Sequence, residues 1–235
     1  MITKREERDA KQLRKLAVRL HVPLQEAFWT LEVFDKDGEL LSSHHQRSHS
    51  WTRNAYNFMF SSLAEKDASD GAFGAGLLNG KDTTGAVRSG AYPMAFRYDY
   101  SVDDLNLIHG GCRGLAGSVA KGIVAGSGIN AESLEDFVLQ TLITEGAGAG
   151  QLNYATQEAH AITYGGLVLT NTLVRYLNNN SGGDVSINEV GLIASIWISN
   201  QYPFLVVRDH LGAVVTVPTT GQCKVTYTVQ LTYPA

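Results

Sequence analysis

Lys224-Val-Thr-Tyr-Thr-Val-Gln-Leu-Thr-Tyr233 alternates without a break, with Val225, Tyr227, Val229, Leu231 and Tyr233 on one side and Lys224, Thr226, Thr228, Gln230 and Thr232 on the other. A period of two sends successive side chains to opposite faces of an extended chain, so this stretch reads as a strand with one apolar and one polar face. Its β-branched and aromatic residues suit a half-buried pleated surface. Working back from it, alternating or apolar runs recur at 151–164, 166–175, 185–198, 203–208 and 213–217, separated by Asn, Gly and Asp turn formers. Gly122-Ile-Val-Ala-Gly-Ser-Gly128 adds a short buried strand running into a glycine turn, and Gly146-Ala-Gly-Ala-Gly150 is a flexible break. Many short strands joined by tight turns predict an antiparallel sheet packing.

Further upstream the same period returns in Ala27-Phe-Trp-Thr-Leu-Glu-Val-Phe34, which puts Trp29, Leu31 and Val33 on one face. Asp35-Lys36-Asp37-Gly38 is a turn signal, and Glu39–Ser43 supplies the returning strand of a hairpin. Residues 3–21 switch to a helical period: Ala10, Leu13, Ala17 and Leu20 form a stripe that Leu16 widens, and Glu7–Lys11 is a favourable i,i+4 pair. Pro23 ends the helix. A second helix is expected after Ser50 with Tyr56, Met59, Phe60 and Leu63 inward, and a third from the box Ser133-Leu-Glu-Asp136, with Leu134, Phe137, Val138 and Leu142 on one face. Asp67–Gly90, rich in glycine and small residues, reads as a long surface loop.

The fold class expected is therefore mainly β with α additions: an antiparallel β-sandwich or barrel-like core with an N-terminal helix and two short internal helices. Along the chain this divides into a basic helical arm (1–24), a stretch of hairpin, helix and glycine-rich loop (25–91), and an antiparallel β module (92–235).

Charge is unevenly placed. Residues 1–20 hold seven Lys/Arg against three acids, a balance of +4; the whole chain of 235 residues is at −4, so the remainder carries −8. A basic arm on an acidic body favours docking to something negative, either nucleic acid or the body of a neighbouring copy. Arg5, Arg8, Leu13, Leu16 and Leu20 are the residues expected to make that contact. No run of apolar residues is long enough to span a bilayer as a helix, and the first residues lack the apolar stretch of a secretory signal; the expectation is a protein made in the cytosol. Cys112 and Cys223, far apart in sequence, suggest neither a disulfide framework nor a zinc spacing.

The candidates for chemistry are weak. Gly122-x-x-x-Gly126-x-Gly128 lacks the Gly-Lys-Ser/Thr of a phosphate loop and the spacing of a dinucleotide fingerprint, and reads as positive-φ turn glycines. His44, His45 and His49 are the only histidine cluster, and no carboxylate or cysteine lies in the same stretch to complete a metal site. Asp209-His210 has no nucleophile-elbow serine to anchor a triad. Glu132, Glu135 and Asp136 are accounted for by the first turn of the expected third helix. The expectation is a non-enzymatic chain with no catalytic residue, no cofactor and no metal.

From residue 122 onward the order of elements resembles a module of tailed-bacteriophage virion structural proteins. The features that carry the resemblance are a strand and Gly-x-Gly turn before a short acidic helix, over Gly122–Leu142, and the Glu-x-Gly-Leu signature at Asn188-Glu189-Val190-Gly191-Leu192. Leu205-Val206-Val207-Arg208 and the terminal alternating strand complete it. The resemblance covers roughly half the chain and implies a β-sandwich piece of a tail, fibre, neck or head-decorating protein. It would be found in the virion, be assembled in the host cytoplasm, and contact copies of itself and other virion proteins. Gly126, Gly128, Glu189, Gly191 and Arg208 are then structural, with Glu189 and Arg208 expected to pair. The alternative is a receptor- or glycan-binding fibre or decorating module, for which Tyr98, Tyr100, Tyr154, Tyr164 and Tyr202 are the available aromatics. Nucleic-acid contact through residues 4–19 is a third reading.

Overall fold

The computed structural model describes residues 2–64, 79–88, 111–198 and 200–234. Most of the 67–90 loop, and Tyr98 and Tyr100, lie outside the described residues.

Two antiparallel sheets pack face to face. The larger runs in the order β2 (Leu40–Arg47), β1 (Leu24–Phe34), β11 (Gln222–Thr232), β8 (Val168–Asn178), with β6 (Asn153–Tyr154) and β7 (Ala161–Gly165) sharing the outer edge of β8. The smaller has β9 (Val185–Ile198) between β10 (Asn200–Val217) and β5 (Gly122–Gly126). The hairpin of the 25–91 stretch thus pairs directly with the terminal strand, Leu31 opposite Val225 and Trp29 opposite Tyr227. Alternation does what the sequence implies: Trp29, Leu31, Val33, Cys223, Val225 and Tyr227 are all buried. They meet Ile123, Ile187, Leu205, Val207, Val215 and Val217 of the facing sheet in one core. The two runs at 203–208 and 213–217 are one strand, β10, interrupted by register shifts at Leu205/Val207 and His210/Val215. At the second shift, Gln46 catches the excursion, donating to the carbonyl of His210 at 3.1 Å and accepting from the Gly212 N–H at 3.2 Å.

The first helix, α1 (Lys4–Leu20), has the capping box Thr3/Glu6 and ends on His21 in the left-handed region (φ 52°), two residues before Pro23. The second, α2 (Arg53–Ala64), lies on the outer face of the smaller sheet, but with the opposite face inward from the one expected. Tyr56, Met59 and Phe60 are exposed, whereas Asn54, Asn57 and Phe58 are buried. Apolar periodicity misplaces the face because the contact is made to backbone. Asn54 bonds Lys81 through both its amide donor and its acceptor and also donates to Leu205, while Asn57 donates to Asn79. Phe58 packs edge-on to Phe204 at 5.0 Å. Asn79–Arg88 carries a small hairpin, β3 (Gly80–Lys81) with β4 (Val87–Arg88).

The third helix does not form. Residues 131–142 are turns and extended chain, although the Ser133 N–H does bond Asp136 (2.8 Å) and the Glu135 N–H bonds the Ser133 hydroxyl (3.2 Å). Besides bonds from the Asp136 N–H to the Ser133 carbonyl (3.1 Å) and the Ser127 N–H to the Thr141 carbonyl (2.8 Å), the backbone here bonds side chains of β9 and β10: Gly128, Gln140 and Thr141 N–H groups donate to Glu189, and the Asn130 and Ala131 carbonyls accept from Arg208.

Candidate functional site

Four buried charged residues, Glu189, Arg208, Arg175 and Asp209, fix the sandwich and with it the surface that α1 occupies. Glu189 on β9 and Arg208 on β10 are paired at 2.7 Å with neither side chain more than 3 % exposed, and Arg208 also reaches Asp136 at 2.7 Å. Burial works against the Arg208 charge, but hydrogen bonds to the two carboxylates outweigh it and raise its pKa. The glycines of the sequence signature make room for this cluster. An added Cβ at Gly126 or Gly128 would lie 2.5 Å from Glu189 Oε1, and one at Gly191 would lie 2.9 Å from both Leu139 and Leu205. Gly126 and Gly128 do not have positive φ; close approach, not a left-handed turn, requires them.

Sequence reasoning missed the other two. Arg175, fully buried on β8, donates to five backbone carbonyls, those of Ala155, Lys121, Ile123, Leu115 and Ser118, and so fastens the larger sheet to β5. Its signal was present: Leu173, Arg175 and Leu177 share the inward face of one strand. Asp209, next to Arg208, fastens the opposite side. Its carboxylate accepts from Trp29 Nε1 (2.7 Å), the Ser48 hydroxyl (2.6 Å) and the His49 N–H (2.7 Å). Burial pushes the Asp209 carboxyl up, against those three hydrogen bonds.

Helix α1 rests on this frame through polar contacts at its inner face. Arg14 forms a two-pronged bond to Glu26 (2.8 and 3.0 Å), which Arg47 also grips, and Glu6 meets His49 at 2.8 Å. Only Ala17 of α1 is buried. Leu13, Leu16, Val18 and Leu20 are 43–62 % exposed. Arg5 and Arg8 are exposed and both approach Asp9. Beside the helix, an open groove of about 710 Å³ runs between Val18, Val22 and Leu24 and the β7–β8 turn, ending at Tyr233. All five residues of β7 are exposed, and among the described residues β7 pairs only with β8.

The histidines do not converge. His44 bonds Gln46, His45 bonds Thr30, and His49 points to Glu6. Instead His49 lies with Glu132 and Asp209, their ligand atoms within 4.8 Å of one another. Of the candidate carboxylates, Glu135 pairs with Arg53 and Asp136 with Arg208. Of the candidate tyrosines, Tyr154 is in the core, Tyr202 lies under Arg88 (3.9 Å), and Tyr164 is 64 % exposed. Cys223 is buried, its thiol pushed up to about 12 by burial.

No protein-family model, curated protein or solved structure matches this chain. No helix among the described residues is long and apolar enough to cross a membrane.

The Glu26 contact gives α1 an acid response. Burial would raise the Glu26 carboxyl, but the bonds from Arg14 and Arg47 outweigh it and hold it below the usual range. A depressed carboxylate stabilises docking fully above its unfolded pKa, and that stabilisation is lost as pH falls through the folded one. Amide exchange over residues 4–20, corrected for its intrinsic pH dependence, is therefore expected to speed up as pH falls below the ordinary glutamate value of 4.5, before exchange in β1 and β11 does. Simultaneous loss of protection in all three would contradict this.

Proposed function

We propose that the chain is a non-enzymatic assembly subunit that joins copies of itself through α1, and that the assembly is a tailed-phage particle, in its tail or neck region. The observation that carries the self-association is the exposed stripe of Leu13, Leu16 and Leu20 on a helix that buries one residue against its own body. A short amphipathic helix draws most of its stability from packing its apolar face, and this face has no partner in its own chain among the described residues. Charge supports a second copy as that partner, because the +4 arm complements a body at −8. The outer edge of β7, which has no further strand partner among the described residues, supports it too, since an unpaired strand edge is a template for another chain. The phage context rests on the ordered motifs from residue 122, whose Glu189, Gly191 and Arg208 hold the loop that joins β5 to the core.

The full chain is expected to elute as an oligomer in size-exclusion chromatography with light scattering, and a version lacking residues 1–24 as a monomer. Monomers in both cases would overturn the reading.

A receptor- or glycan-binding role is favoured by one observation. Tyr164 and Tyr233 stand edge to face at 6.2 Å along the groove, beside Thr163, Thr170, Gln230 and Thr232. Nucleic-acid contact is the weaker reading, since Asp9 draws Arg5 and Arg8, and Arg14 is held by Glu26.

A further inference from the structure

We propose that His49, Glu132 and Asp209 form a binding site for a divalent transition-metal ion at the root of α1. Their ligand atoms come from three separate places: the residue run after β2, the 127–142 segment, and β10. One imidazole with two carboxylates is a donor set suited to zinc-like ions. Bringing the atoms from within 4.8 Å of one another to a common ion at about 2 Å requires side-chain movement on the order of 1 Å. Exposed His49 and half-buried Glu132 have the freedom to make that movement.

Two features beyond proximity point to an ion. Asp209 is fully buried, yet its three hydrogen-bond partners, Trp29, Ser48 and the His49 N–H, are all neutral. Oδ2 takes two of these bonds and Oδ1 only one, so Oδ1 keeps a lone pair for a ligand. A second carboxylate, Glu132, stands beside it, and a divalent cation would neutralise the two together. The other feature is Glu6. Its carboxylate accepts only, so the 2.8 Å contact requires His49 Nε2 to carry the proton, which leaves Nδ1 of the neutral ring with its lone pair. A carboxylate fixing the far nitrogen is how metal-binding imidazoles are oriented. An ion here would lock the first turn of α1 to the side of the sandwich that Asp209 fastens. This inference does not depend on what covers the leucine face of α1.

The test is titration of the full chain with Co2+, read by visible absorption, and with Zn2+, read by calorimetry. One ion per chain is expected, with the cobalt bands of a low-coordinate site. His49→Ala, which keeps the backbone N–H to Asp209, is expected to abolish binding. Glu6→Gln keeps the capping box and is expected to weaken Zn2+ binding about 10- to 100-fold, with an unchanged melting temperature in chelator. No binding of either ion at micromolar concentration would overturn the proposal. So would undiminished binding by His49→Ala, which would place the ion elsewhere.

Discussion

Arg208→Met is expected to lower the melting temperature by on the order of 10 °C. The substitution removes bonds to Glu189 and Asp136 (2.7 Å each) and to the carbonyls of Asn130 (2.9 Å) and Ala131 (3.1 Å). It leaves Glu189, which has no exposed surface, charged and short of its counterion. Breaking one side of a buried pair costs about 3–5 kcal/mol, and in a chain of this size each kcal/mol shifts the midpoint by about 2–4 °C. Glu189→Gln added to Arg208→Met is expected to recover part of the loss, because the buried charge is then gone while Gln still accepts from the Gly128 and Thr141 N–H groups. An unchanged melting temperature for Arg208→Met would show that the cluster does not hold the 127–142 segment.

Arg175→Leu is expected to be as damaging, for a different reason. Among the described residues no carboxylate is bonded to Arg175; its guanidinium serves five carbonyls, and burial lowers its pKa to about 10, which still leaves it charged at neutral pH. Leucine fills much of the volume but strands those acceptors, of which Lys121 and Ile123 are buried, at about 1–3 kcal/mol for each buried group left unsatisfied. Arg175→Lys, with three donors and no planar fork, should restore some of the loss and not all of it. The checks are denaturant unfolding and amide exchange. Protection in β5 should fall before protection in β1, and equal stability of Arg175→Leu and the parent would contradict the role.

The period-two strands were legible because burial of one face imposes alternation directly on the residues, as in Trp29, Leu31 and Val33 against Val225 and Tyr227. Helix α1 was legible from the spacing of Ala10, Leu13, Ala17 and Leu20 and from Pro23. What escaped was whatever depends on hydrogen bonding across elements. The inward face of α2 is set by Asn54 and Asn57 reaching backbone, which no hydrophobic period records. The box at Ser133 closes a turn because Glu189 and Arg208 take the neighbouring backbone groups, and those residues are far away in sequence. At the site, the Glu189–Arg208 pair was anticipated, whereas Arg175 and Asp209 were not, although an arginine between Leu173 and Leu177 was a visible anomaly. His49 was singled out for the wrong companions: its neighbours in space, Glu132 and Asp209, come from residues more than 80 positions away.

The central claim is that the leucine face of α1 is covered by another copy of the chain, and thiol labelling at position 16 tests it most directly. In a Cys112→Ser background, Leu16→Cys should be protected from a thiol reagent at high protein concentration and become reactive on dilution, with the transition following the oligomer mass. Labelling at the rate of a free thiol at every concentration would contradict the account.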